Sequence, residues 1–344
     1  MPFVRFGKSR RHAAHALAKA PSSSKQKSKG KLIMNVVNNS EPIVLDGRDS
    51  QTGKRAKIDK KTLSGYWLAS PPLLFLVVFF LIPSVLLLVA SFWTAKTFSM
   101  EPAATLANYA KALSASGFYD SLWIALQNGF WTAVLSTIIS APVAYYIVYR
   151  TRSNNVLYLA LISWFSSYLV RVYAWRSILG TNGVINSTLI HLGMIDQPLD
   201  WLVFSKFSVV LTLVHIMLPF TLLLLVSGLR DIKRDYLEAA ADLGASGSTI
   251  LWRVIMPMAH KSIVSSFMFT FVLAASDYVT PQLLGGRDAM TTGLVIANQF
   301  RSVGNWPLGA AMAYLLLIVF MLVYALLLGV LRAANLAPGK RYHD

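Results

Sequence analysis

Three charged side chains stand beside long apolar runs that leave little room for charge, and what they could do there is the first question this sequence raises. Asp277 follows the uncharged run 262–276, and Arg171 and Arg176 follow the uncharged run 153–170. In surroundings of low dielectric a carboxylate attracts a cation, and Tyr168, Tyr173, Trp175 and Tyr278 could add cation–π faces to such a site. The same carboxylate could instead pair with Arg171 or Arg176, or cap a helix ahead of Pro281. Tyr173, Trp175 and Trp306 also suit the aromatic belt at a membrane–water boundary.

Other chemistries are missing from the sequence. It has no Cys, which excludes disulfides, thiolate metal sites and cysteine nucleophiles. His12, His15, His191, His215, His260 and His343 fall in no HExxH or similar ligand spacing, so neither a metal nor a cofactor is expected. There is no GxxxxGK[ST] phosphate loop, no GxSxG elbow and no TVGYG filter. The spans hold no paired carboxylates, and a coupled carrier would commonly place several ionisable groups at mid-membrane. A non-catalytic chain that draws its energy from elsewhere fits these absences.

The elements that hold these residues must be membrane spans. Over 344 residues the chain is 55% apolar and 14% charged, against roughly 25% charged in soluble domains. Segments 62–95, 121–149, 207–229 and 302–331 contain no Asp, Glu, Lys or Arg, and each exceeds the roughly 20 residues that cross hydrocarbon as a helix. The runs ending at Arg171 and Asp277 add two more. An all-α integral membrane protein is predicted, with a six-span domain over 63–334. Its spans fall at about 67–95, 121–149, 154–179, 206–229, 261–284 and 306–332, and Pro83 should kink the first. On straight helices Asp277 lies about 22 Å from Ser262 and Arg171 about 27 Å from Ser153, both in the outer part of a roughly 30 Å core.

The net charge of +17 could suggest a nucleic-acid partner, but its distribution argues otherwise. Fifteen of the 32 basic residues precede Gly65, in a segment with no apolar run longer than about five residues and a low-complexity basic stretch around Lys25–Lys31, which cannot bury enough surface to fold alone. Segment 1–62 reads as a disordered basic tail that helps hold the first span in orientation, with anionic lipid or RNA as the alternative partner and a transit peptide conceivable. With this tail inside, 25 basic residues face the cytoplasm and 7 face out, so both termini, including the short segment 335–344, are expected to be cytoplasmic.

The cytoplasmic loop 230–260 is amphipathic. Asp235 followed by Glu238 suggests a capping box opening a short helix. Gly244 would end it in a left-handed conformation, and Ser246 would cap a second short helix running to Pro257. On its own this is an elbow at the membrane face, which an interfacial hairpin without a partner would also satisfy.

Its residues are more specific. Glu238-Ala239-Ala240, three residues, Gly244, nine residues, then Val254-Ile255-Met256-Pro257 resembles the EAA loop of permease subunits in ATP-binding-cassette importers. Val254 and Met256 replace the family's Ile and Leu. Arg171-Val172-Tyr173-Ala174-Trp175-Arg176, Leu218-Pro219-Phe220, Asp277-Tyr278-Val279-Thr280-Pro281-Gln282 and Trp306-Pro307-Leu308-Gly309 are similar to the spermidine/putrescine branch, over about residues 66–332. The resemblance implies an inner-membrane permease that pairs with a second permease subunit and two ATPase subunits. It would receive solute from an extracytoplasmic binding protein. Glu238, Ala239, Ala240, Gly244 and Pro257 would form the ATPase contact, and Asp277, Arg171, Tyr173, Trp175 and Tyr278 the substrate pathway. A polyamine is the expected cargo, with an opine or other amine-bearing solute as the alternative. A stand-alone carrier or channel is the alternative of another class.

Overall fold

Backbone polar groups cannot stay unpaired in hydrocarbon, so apolar runs of this length close their own hydrogen bonds as helices. The computed structural model of the protein describes residues 70–96, 99–151, 153–286 and 288–333. The expected tail 1–62 and the segment 335–344 lie outside the described residues.

Among the described residues five helices are long and apolar enough to cross a membrane: α1 (Ser70–Ala90), α3 (Ser116–Arg150), α7 (Lys206–Arg230), α9 (Gly247–Ser276) and α12, whose apolar part is Trp306–Val330. Between α1 and α3 lie a two-stranded antiparallel hairpin, β1 (Thr94–Lys96) and β2 (Ser99–Glu101), and the short α2 (Ala107–Ser114). The hairpin is a small departure from an all-helical chain. It carries an exposed ion pair, Lys96 Nζ to Glu101 Oε1 at 2.5 Å, of a kind worth about 0–1 kcal/mol.

The sixth candidate crossing is a bent pair of helices. α4 (Asn155–Trp164) and the segment Tyr168–His191, which contains α5 (Tyr168–Leu179) and α6 (Val184–His191), meet at 90°. The straight span expected over 154–179 is therefore bent at 165–167, and the depth reckoned for Arg171 along it does not hold. Ser163 and Ser166 explain the site of the break: Ser166 Oγ donates to the Ser163 carbonyl at 3.0 Å, taking an acceptor from the helical ladder. The span expected over 261–284 is likewise interrupted. α9 ends at Ser276, Asp277 is extended (φ −66°, ψ 136°), and the chain restarts as α10 (Val279–Leu284).

Proline shapes two spans through wide turns. A π turn at Val77–Leu81 precedes Pro83 in α1, and another at Leu251–Ile255 precedes Pro257 in α9. Pro257 has no N–H to donate and its ring would crowd the carbonyl four residues back, a conflict a wide turn relieves. Consequently Pro257 does not close a short helix, as the loop pattern had suggested; the helix capped by Ser246 runs on to Ser276.

α3, α7 and α9 form the centre of the bundle, and small residues let them approach. A Cβ at Gly129 on α3 would lie 2.7 Å from Ala275 Cβ and 2.9 Å from the Phe271 carbonyl on α9. α3 also buries Ser121, Asn128, Thr132, Ser136 and Ser140 on this side. Thr221 of α7 and Thr270 of α9 share a hydroxyl hydrogen bond at 2.8 Å. One apolar cluster at the α3 C-terminal end joins Ile147, Leu157, Leu225 and Ile255, and another at the opposite end joins Val172, Leu213 and Leu284. The outer faces remain apolar and exposed, as with Phe79 and Phe80 on α1, so lipid or a partner must cover them.

Candidate functional site

Two polar constellations sit at opposite ends of the bundle. The first surrounds the break in the α9–α10 span. Asp277 Oδ2 accepts from the Thr280 backbone N–H at 2.9 Å, and Oδ1 accepts from the Tyr168 hydroxyl at 2.7 Å. Tyr168 and Thr280 hydroxyls lie 2.7 Å apart; because the phenol's one proton goes to the carboxylate, Thr280 donates to Tyr168. Asp277 thus caps the first turn of α10 and ties it to α5. The Thr291 hydroxyl donates to the Asp277 carbonyl at 3.2 Å, and helix α11 (Thr292–Asn298) begins against the break. A Cβ at Gly293 would stand 2.6 Å from the Ser276 carbonyl, so only glycine permits that approach.

Of the alternatives for Asp277, the cap is made, and no ion pair joins it to Arg171 or Arg176 among the described residues. Arg171 lies one turn past Tyr168, is 7% exposed, and has Nε and Nη1 buried without a partner. A buried guanidinium so little compensated costs several kcal/mol. Arg176 turns instead to the ring of Phe204, 5.7 Å away. Trp175 Nε1 donates to His215 Nδ1 of α7 at 3.0 Å. Tyr173 is exposed on α5. Tyr278 meets Arg301, whose Nη2 donates to its hydroxyl at 3.0 Å and whose guanidinium carbon lies 5.1 Å from its ring centre. The fold therefore gathers Asp277, Tyr168 and Thr280, sets Arg171 beside them, and gives Trp175 and Tyr278 other partners. The hydrogen-bonding role of Tyr168 and the partners His215 and Arg301 were not evident in the sequence; only the Asp-x-x-Thr spacing at 277–280 carried a local signal.

The second constellation is the elbow formed by α8 (Arg234–Asp242), Gly244 and the start of α9. Lys233, not Asp235, is the N-cap, and no side chain caps the helix, so the expected capping box is not formed. Asp235 instead lies in the first turn, where its charge still suits the helix dipole. Gly244 has φ +81°. Ala245 N–H bonds the Ala240 carbonyl at 3.0 Å and Gly244 N–H bonds that of Ala241 at 2.9 Å, the paired closure of a Schellman motif. Ser246 then caps α9, its hydroxyl accepting from Thr249 N–H at 3.3 Å. Leu237 packs inward on the α3–α7–α9 end of the core. Glu238, Ala239, Ala241 and Leu243 remain exposed, Leu243 by 90%.

Comparison with known proteins agrees with this architecture. The sequence model of the family described as binding-protein-dependent transport system inner membrane component matches residues 155–335. The spermidine/putrescine transport system permease protein PotB of Escherichia coli (strain K12) is 30% identical over 255 residues, covering 72% of this chain and 92% of that protein. The inner membrane ABC transporter permease protein YdcU of the same organism is 30% identical over 244 residues, 67% of this chain and 77% of that one. Among solved structures, a chain of a bacterial ABC transporter importing the acidic polysaccharide alginate superposes with a TM-score of 0.61 at 13% identity, covering 80% of this chain and 96% of that one, a likeness of fold. With its apolar helices and these relatives, the chain belongs to the family of binding-protein-dependent transport system inner membrane components, the multi-pass permease subunits of ATP-binding-cassette importers.

Proposed function

We propose that the protein is the permease subunit of an ATP-driven polyamine importer. The observation that carries this is the 30% identity, over 92% of its length, to a spermidine/putrescine permease. The chain pairs with a second permease subunit, two ATPase subunits and an extracytoplasmic binding protein, with both termini in the cytoplasm, and hydrolyses nothing itself. Glu238, Ala239, Ala240 and Gly244 form the ATPase contact: the exposed small-residue face of α8 admits a close neighbour, and its Schellman closure makes it rigid enough to push on α9. Pro257 acts within α9 rather than at the end of the elbow.

At the other end, Asp277, Arg171, Tyr173, Trp175 and Tyr278 line the mouth through which solute passes. One observation favours a second reading of the cargo. The unpartnered guanidinium nitrogens of Arg171, near a carboxylate already engaged by Tyr168 and Thr280, suit a solute with a carboxylate as well as an amine, as in an opine. The deciding experiment reconstitutes the complete transporter in proteoliposomes and measures ATP-dependent uptake of spermidine, putrescine and an opine supplied on the cognate binding protein. Polyamine uptake supports the first reading. Opine uptake without polyamine uptake replaces it with the second, and uptake of either without ATPase subunits removes both.

A further inference from the structure

A cavity of about 350 Å³ opens where α3 and α7 reach their charged ends, outside the pathway and the elbow's exposed face. Its exposed lining is mostly polar, from Tyr149, Thr151, Asn154, Arg230 and Arg234, with the buried Ile147 and Ile232 behind them. Arg230 is held in place by one bond, Nη2 donating to Asn154 Oδ1 at 2.6 Å. Its remaining nitrogens make no hydrogen bond among the described residues, and Arg234 makes no hydrogen bond or ion pair among them. Asp231 and Asp235, next to these arginines in sequence, form no ion pair with them among the described residues. Two guanidinium groups thus face one small cavity with their charge uncompensated. Planar donors of this kind favour phosphate and carboxylate oxygens.

The depth of the cavity selects between the sources of such an anion. Arg150 ends α3 and Arg230 ends α7, so the cavity lies where apolar spans give way to charge, at the level of the lipid headgroups. Two unpaired guanidinium groups at this level match the phosphate of a lipid headgroup, the anion most abundant there. We propose that this cavity binds the phosphate of an anionic phospholipid from the cytoplasmic leaflet, between Arg230 and Arg234. Because Arg234 begins α8, the bound lipid ties the elbow to the membrane surface and makes coupling depend on lipid charge. This rests on the cytoplasmic placement of the elbow proposed above.

The test uses the complete transporter in nanodiscs of phosphatidylcholine with or without phosphatidylglycerol. Retained lipid is counted by native mass spectrometry and ATP-dependent uptake is read in matching vesicles. At about fivefold per basic side chain at the surface, two arginines should give roughly thirtyfold retention of phosphatidylglycerol over phosphatidylcholine. The pair Arg230→Gln and Arg234→Gln should lose one retained phosphatidylglycerol and the lipid dependence of uptake. Arg230→Lys with Arg234→Lys should keep most of both, and Lys111→Gln, a charge control at the opposite end of the bundle, should change neither. Equal retention by wild type and the Gln pair overturns the proposal. So does displacement of the lipid by millimolar inorganic phosphate, or loss of the ATPase subunits from the Gln pair in every lipid, which would assign the cavity to a protein contact. A failure of orientation shows separately: a cysteine at Ser248→Cys would then react with an impermeant maleimide from outside intact cells.

Discussion

Asp277 is a carboxylate with two occupations, and the residue scale is where they separate. It closes the first turn of α10 and accepts a hydrogen bond from the Tyr168 hydroxyl, and in the proposed function it also stands at the mouth of the pathway, where a cation would seek it. Asp277→Asn keeps an acceptor for the Thr280 N–H and deletes the charge. Uptake and substrate-stimulated ATP hydrolysis should each fall at least about tenfold, the loss of roughly 1.4 kcal/mol of charged interaction, while thermal stability in detergent changes little. Unchanged transport in that variant would leave Asp277 a cap and nothing more. Tyr168→Phe reverses the pattern: it removes the donor to a half-buried carboxylate and should destabilise by about 1–3 kcal/mol, visible as a lower melting temperature. Arg171 belongs with them because its nitrogens Nε and Nη1 are buried without a partner. A compensating group must reach it when solute or a partner subunit arrives.

At the scale of elements, the elbow owes its shape to a few backbone demands. The left-handed Gly244 (φ +81°) ends α8 and turns the chain into the Ser246 cap. Gly244→Val should cost about 1–2 kcal/mol at that residue and loosen the elbow. Glu238→Lys leaves the backbone alone and reverses the charge on the exposed face. ATP hydrolysis by the assembled transporter should persist in this variant while uptake drops about tenfold or more; equal loss of both would point to failed assembly instead. Gly244 and Ser246 were legible in the sequence because each acts through its own backbone. The capping box was not, since the helix begins at Arg234 with Lys233 as N-cap, two residues earlier than Asp235 would need. Pro257 misled in a similar way: a proline reads as a stop, and only the wide turn ahead of it shows the helix continuing.

At the scale of the whole molecule, charge distribution and hydropathy predict a topology with both termini in the cytoplasm. The absence of cysteine makes the orientation simple to check. Ser114→Cys should react with an impermeant maleimide in intact cells, and Ser248→Cys only after permeabilisation; the opposite pattern would invert the topology and with it the positive-inside argument. The sequence by itself determined the helical membrane class, the apolar stretches able to form five or six crossings, and the elbow with its glycine, because these follow from composition, period and single-residue backbone preferences. Only the tertiary structure decided that the helices on either side of residues 165–167 meet at 90°, that Asp277 pairs with Tyr168 and the Thr280 N–H while Arg171 Nε and Nη1 are left unpartnered, and that Arg230 and Arg234 share a cavity. Each of these joins residues distant along the chain. Their partners are chosen by which helices pack together, and the small residues of α3, α7 and α9 fix that packing through contacts no local pattern records.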